Sequence, residues 1–210
     1  MKITEMAICR RRLYLLRLED GTEHTVDRQT FDESPYRVGE SISEEQLEAL
    51  LEKSQYNRAR ERALYLLGLR DYACGELEKK LYTEATPEIA AAVIARLREV
   101  GLLDDTRFAL RLARHLMEHK QYPRRRIEQE LRHRGVDASV IADALMQLDG
   151  DDLQQALALL NKKYYNKMNT QEDRQRVVAA LARRGFSYGA IRGAMERMQV
   201  PDDEEFDAWQ

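Results

Sequence analysis

Apolar residues recur along this chain in i,i+4 pairs, and the pairs recur in turn. Leu77/Leu81, Ile127/Leu131 and Val177/Leu181 are spaced by fifty residues. Each pair places two side chains on one face of a short helix. After each pair comes a break and a second helical segment: Pro87 to Val100, Ser139 to Leu148 and Tyr188 to Met198. Their apolar positions recur as Val93/Leu97, Ile141/Leu145 and Ile191/Met195. A longer helix is expected upstream of each pair, over Arg58 to Leu69, Thr106 to His119 and Asp152 to Lys167. The pattern predicts a mainly α protein built as a tandem array of three three-helix repeats. One short amphipathic helix cannot bury its stripe alone, whereas three build a small core that adjacent repeats extend. Chance leucine spacing is the competing explanation. The matching endings "ELRHRGV" and "ALARRGF" argue against it.

Local signals set the breaks. Gly135 and Gly185 follow basic residues where a helix ends, the position that favours a left-handed glycine, and Arg134 and Arg184 suit the negative helix terminus. Asp137 and Ser187 are expected to cap the helices that follow. The first repeat has "KKLYTEATPEI" instead, with Thr86 as cap and Pro87 at the first helical position. The first forty residues differ in character. Asp20-Gly21 between Leu13 to Leu18 and Thr22 to Val26 predicts a β-hairpin, with a third strand expected near Tyr36 to Val38. Ser43 and Gln46 form a capping box for the next helix. The expected division is a β-rich extension over 1–42, a linking helix over 43–55, repeats over 56–103, 104–149 and 150–199, and an acidic tail over 200–210. Such an array is expected to be elongated and curved.

Composition narrows the function. The net charge of −3 over 210 residues argues against a uniformly basic nucleic-acid binder. Cys9 and Cys74 have no CxxC spacing, so a reducing compartment fits. The N-terminus lacks the pattern of a signal peptide, and no apolar stretch approaches a membrane span. A cytoplasmic monomer with no membrane association is expected.

Charge is unevenly spread. Residues 107–134 carry a net +6, whereas Asp202 to Asp207 holds five acids and no base. The basic residues are Arg107, Arg111, Arg114, Lys120, Arg124, Arg125, Arg126, Arg132 and Arg134. Arginine matches phosphate and carboxylate geometry, so these nine are the candidate partner-binding residues. A solvated face that only aids solubility is the plain alternative. The acidic tail could fold back on the basic repeat and compete with its partner. There is no glycine-rich phosphate loop, zinc signature or nucleophile elbow. His115 and His119 are spaced i,i+4 and could reach one metal, but no HExxH surrounds them and no cysteine lies close in sequence, so they read as solvated. Asp104/Asp105 and Asp151/Asp152 precede helices and fit capping. No catalytic residue, metal or cofactor is expected. An enzyme built on Asp104/Asp105 and the histidines has no positive support.

The order of motifs is specific. "ALYLLGLRDYACGELEKKL" precedes "VIARLREVGLLDDTRFALRLARH" and "RRRIEQELRHRGV". Over about residues 59 to 198 the chain resembles the bacterial RecX family, regulators of the RecA recombinase. The resemblance implies three tandem three-helix repeats and a place in recombination regulation, DNA repair and the SOS response. It implies binding along the groove of the RecA–single-stranded DNA filament, with filament growth, ATP hydrolysis and strand exchange reduced. The chain itself would catalyse nothing, and some relatives also bind DNA directly. The family motifs fall on Arg70, Tyr72, Glu76 and Leu77, then on Gly101, Leu102, Asp104, Asp105, Arg107, Phe108 and Ala109. A third set falls on Arg126, Ile127, Glu130, Leu131, Gly135 and Val136. With Leu81, Leu181 and Gly185, most of these are expected to be structural, and Leu102, Phe108, Ile127, Leu131 and Val136 are expected to pack. Ala73 stands where the family usually has serine, and "YTEAT" where it commonly has Lys-Gly. A helical DNA-binding protein without a recombinase partner is the alternative function.

Overall fold

The computed structural model describes residues 1–10 and 12–200, so the acidic tail lies outside the described residues. The chain divides into two compact units, Met1–Asp104 and Asp105–Gln210.

The first unit opens with an antiparallel sheet of β1 (Ile3–Arg10), β2 (Leu13–Leu18) and β3 (Glu23–Asp27), in that order. The hairpin expected at Asp20-Gly21 is β2–β3, in a register that sets Tyr14 opposite Val26 and Leu16 opposite His24. Tyr14, Leu16 and Leu18 alternate inward, as a strand with one covered face requires. The third strand is β1, not Tyr36 to Val38, which stays outside the sheet. Of β1 only Ile3 is buried, so this edge strand is held by its backbone ladder and carries no hydrophobic alternation to read.

Asp27 caps the short helix α1 (Arg28–Asp32), accepting from the Thr30 N–H at 2.9 Å. α2 (Glu44–Leu69) follows, with Ser43 and Gln46 forming the reciprocal capping box. The expected separation at 55/56 between a linking helix and the first repeat is not a break. α2 runs unbroken for 26 residues, about 39 Å at 1.5 Å per residue. No glycine or proline interrupts it before Gly68, and one helix serves two cores. Leu47 and Leu50 join Ile3, Tyr14, Leu16, Leu18, Val26, Phe31 and Ile42 under the sheet. Ala59, Ala63 and Leu66 join the core of the first repeat. Between them, Ser54 Oγ accepts from the buried Asp27 N–H at 2.7 Å, and Asn57 donates to Thr30 Oγ1 at 2.9 Å. These bonds satisfy polar groups that would otherwise be costly where sheet meets helix.

The first repeat is completed by α3 (Cys74–Leu81) and α4 (Pro87–Glu99), the latter capped by Thr86. The second is α5 (Asp105–Lys120), α6 (Arg124–His133) and α7 (Ala138–Met146). The third is α8 (Asp152–Leu159), α9 (Gln171–Arg183) and α10 (Tyr188–Arg197). The helix expected over Asp152 to Lys167 changes character partway: α8 passes into a π-helical turn at Leu160–Tyr164. Leu77, Leu81, Ile127, Leu131 and Leu181 are fully buried and Val177 nearly so, and they mark equivalent positions in the three repeats.

α6 and α9 end alike. Gly135 and Gly185 have φ of +76° and +97°, where a side chain would be strained. Val136 donates its N–H to Leu131 O at 3.2 Å and Phe186 donates to Leu181 O at 3.3 Å. These are the long bonds of a Schellman stop, and the apolar residues after the glycines, Val136 and Phe186, are buried. Asp137 and Ser187 then cap α7 and α10. The Ser139 hydroxyl and N–H hold the Asp137 carboxyl below the ordinary aspartate range.

Candidate partner-binding surface

Four inward side chains fix which way α5 faces. Phe108, Ala109, Ala113 and Met117 are buried. Arg107, Arg111 and Arg114 stand at i, i+4 and i+7 on the opposite face, all exposed. The burial pattern of α5 therefore turns a run of sequence charges into a continuous basic stripe. Lys120 is exposed at the end of the helix, before Gln121 turns the chain at φ +50°.

α6 sorts its arginines differently. Ile127 and Leu131 face the core, leaving Arg125, Gln129 and Arg132 exposed on one stripe. Arg132 is tied to Glu128 at 2.5 Å. Arg126 pairs with Glu130 at 2.8 Å and lies 5.8 Å from the centre of the Tyr122 ring. Arg134 is half-buried at the C-cap of α6.

Arg124 differs from the exposed basic residue expected. Its guanidinium donates to the carbonyl oxygens of Leu145, of Leu148 at 2.8 Å and of Gly150 at 3.0 Å. Its backbone N–H donates to Asp152 Oδ1 at 2.9 Å. Pro123 provides no side-chain cap for α6, so a carboxylate from the third repeat does so. Arg124 in turn donates to carbonyls at the C-terminal end of α7 and in the connection that follows it. It joins the second repeat to the third and is structural.

The motif residues fall as follows. Arg70 reaches Glu76 at 2.6 Å and stacks 3.8 Å from the centre of the buried Tyr72 ring, closing the turn into α3. Glu76 also raises the Arg70 pKa through this hydrogen bond. Ala73 occupies the N-cap of α3, where no side-chain cap is made. Phe108 and Val136 are buried. Leu102 corrects the expectation that it packs. It is 54% exposed, whereas Leu103 is 5% exposed. Gly101, at φ +74°, turns the chain so that the Leu102 and Leu103 N–H groups both donate to Leu97 O. The turn sends Leu103 into the core and leaves Leu102 on the rim of a shallow groove lined also by Tyr56, Leu64 and Val100. Asp105 lies in the first turn of α5, as its helix-terminus role predicts, and Asp104 precedes it. Asp151 caps α8, accepting from the Gln154 N–H at 2.7 Å.

The His115 and His119 rings lie 4.9 Å apart on the exposed side of α5. Among the described residues no three His, Cys, Asp or Glu side chains gather as a metal site requires. No helix among them is long and apolar enough to cross a membrane. Sequence reasoning also passed over "KKYYNK", whose basic and aromatic residues flank the π-turn.

Comparison with known proteins gives this surface its family setting. Residues 104–145 match the family model described as RecX, second three-helix domain, and 150–195 match RecX, third three-helix domain. The regulatory protein RecX of Trichlorobacter lovleyi is 36% identical over 141 residues, covering 64% of this chain and 92% of the relative. That of Streptococcus sanguinis is 25% identical over 207 residues, covering 98% and 80%. Two solved structures share the fold. One, a regulatory protein RecX, aligns at TM-score 0.62 and 24% identity over 93% of this chain and 98% of its own. The other, RecX from Lactobacillus salivarius, aligns at 0.60 and 20% identity over 71% and 99%. With its repeats, its motifs and these relatives in agreement, the chain belongs to the RecX family of regulatory proteins.

Proposed function

We propose that this chain is a non-enzymatic cytoplasmic regulator that binds the RecA–single-stranded DNA filament as a monomer. It limits filament extension and thereby lowers ATP hydrolysis and strand exchange. The observation that carries the reading is the α5 stripe of Arg107, Arg111 and Arg114, displayed by the second repeat of a RecX-family scaffold. A filament of protein on single-stranded DNA offers phosphates and carboxylates, and guanidinium groups suit both. Arg125, Arg126, Arg132, Arg134 and Lys120 add to the same field, whereas Arg124 supports the scaffold. The net charge of −3 weighs against a general nucleic-acid binder, since non-specific affinity follows phosphate neutralisation.

Titrating the protein into RecA turning over ATP on single-stranded DNA tests the reading. Hydrolysis is expected to fall with dose. Inhibition at substoichiometric protein would indicate capping of filament ends, and a stoichiometric requirement would indicate coating of the groove. Unchanged hydrolysis at saturating protein would remove the proposal.

A further inference from the structure

The third repeat carries a second basic element of different chemistry. Leu160 is fully buried, Tyr164 packs against the third-repeat core and Met168 is 8% exposed. These three anchors, four residues apart, hold the segment inward at both ends and its middle. Asn161, Lys162, Lys163, Tyr165, Asn166 and Lys167 are left exposed between them. The π-turn at Leu160–Tyr164 widens the helix at this place, and π-turns within helices are frequent at functional sites. Residues 161–168 contain three lysines and no acid in a chain of net charge −3.

The Tyr165 ring is 69% exposed. It stands in a lysine-rich stretch, Lys162, Lys163 and Lys167, and Lys163 Nζ lies 5.5 Å from the centre of the neighbouring Tyr164 ring. Tyr82, another exposed tyrosine, sits instead against Glu78 and Glu88, which would repel phosphate. The nearest acids in sequence around the π-turn are engaged elsewhere. Asp152 accepts from the Arg124 N–H, while Glu172 and Asp173 pair with Arg176.

We propose that Tyr165, with Lys162, Lys163 and Lys167, forms a single-stranded nucleic-acid contact in which a base stacks on the tyrosine ring and the lysines meet flanking phosphates. An acidic peptide would satisfy the lysines and leave the ring unused. Single-stranded nucleic acid supplies both an aromatic face and a closely spaced anionic backbone. The contact needs no recombinase, so it stands or falls separately from the filament reading.

The test measures affinity of the full chain for two fluorescent oligonucleotides of equal length, one of thymine nucleotides and one abasic. The abasic strand keeps the phosphates and removes the bases. The thymine strand is expected to bind more tightly. Tyr165→Ala is expected to weaken thymine binding by about five-fold or more, as loss of one stacked base predicts. The same variant leaves abasic binding unchanged, and Tyr165→Phe retains thymine binding. Replacing Lys162 and Lys163 together by alanine should weaken both strands and reduce the salt slope by about 1.4. Because Tyr165 projects into solvent, its replacement leaves the fold intact, with circular dichroism as the check. Equal binding of both strands by the wild type, no binding of either, or unchanged thymine binding in Tyr165→Ala would overturn the proposal.

Discussion

Arg124→Ala is expected to destabilise the second unit by about 2–4 kcal/mol, the scale of losing several hydrogen bonds from a charged group. The guanidinium serves three carbonyls at and beyond the C-terminal end of α7, those of Leu145, Leu148 and Gly150. Truncation leaves them to compete for water in a half-buried site. Arg124→Glu should cost more, because a carboxylate would face carbonyl oxygens and stand close to Asp152, which accepts from the backbone at the same residue. Arg125→Ala, one residue along on the exposed face, should stay within about 0.5 kcal/mol of the wild type. Urea denaturation of the three variants measures the contrast. Equal midpoints for Arg124→Ala and Arg125→Ala would show that the inter-repeat connection adds nothing to stability.

Reversing Arg107, Arg111 and Arg114 together to glutamate is expected to abolish inhibition of the recombinase while the fold persists. The three share the exposed face of α5, opposite Phe108, Ala109, Ala113 and Met117. Reversal moves the stripe by six charge units, and like charge then repels the phosphates and carboxylates it would otherwise attract. The circular dichroism spectrum should match that of the wild type, since no buried side chain changes. If the triple variant slowed ATP hydrolysis as well as the wild type does, the stripe would not be the contact surface.

These expectations rest partly on what local sequence could reveal. Leu131, Gly135 and Val136 were legible because a Schellman stop is written within six residues, as were the caps at Ser43, Thr86, Asp137 and Ser187. Each depends on neighbours in the chain. Features set by distant contacts were not legible. β1 gains its place from backbone pairing with β2 and has almost no buried side chains to mark it. α2 continues past residue 55 because cores on both sides use it, although the apolar pattern changes between them. Leu102 and Leu103 are adjacent leucines, and only the turn at Gly101 decides which one enters the core.

The candidate surface divides in the same way. The helical spacing of Arg107, Arg111 and Arg114 is visible in sequence, and burial of Phe108 and Met117 orients it. Arg124 lies in a run of three arginines that look alike. Its partners are 21 to 28 residues downstream, beyond the reach of any local motif. The signal that could have found it is the pairing of an uncapped helix start after Pro123 with the acids at Asp151/Asp152. Tyr165 was obscured because the lysines and tyrosines of "KKYYNK" read as the end of an ordinary helix until the π-turn and its three anchors separate inward from outward residues.

The most direct test of the account compares the affinity of the wild-type protein for a preformed RecA–single-stranded DNA filament with that for the same DNA alone, at one salt concentration. The account predicts filament binding at least about ten-fold tighter, a difference of about 1.4 kcal/mol. Equal affinity for filament and bare strand, with the same steep salt dependence, would contradict it and leave a helical DNA-binding protein in its place.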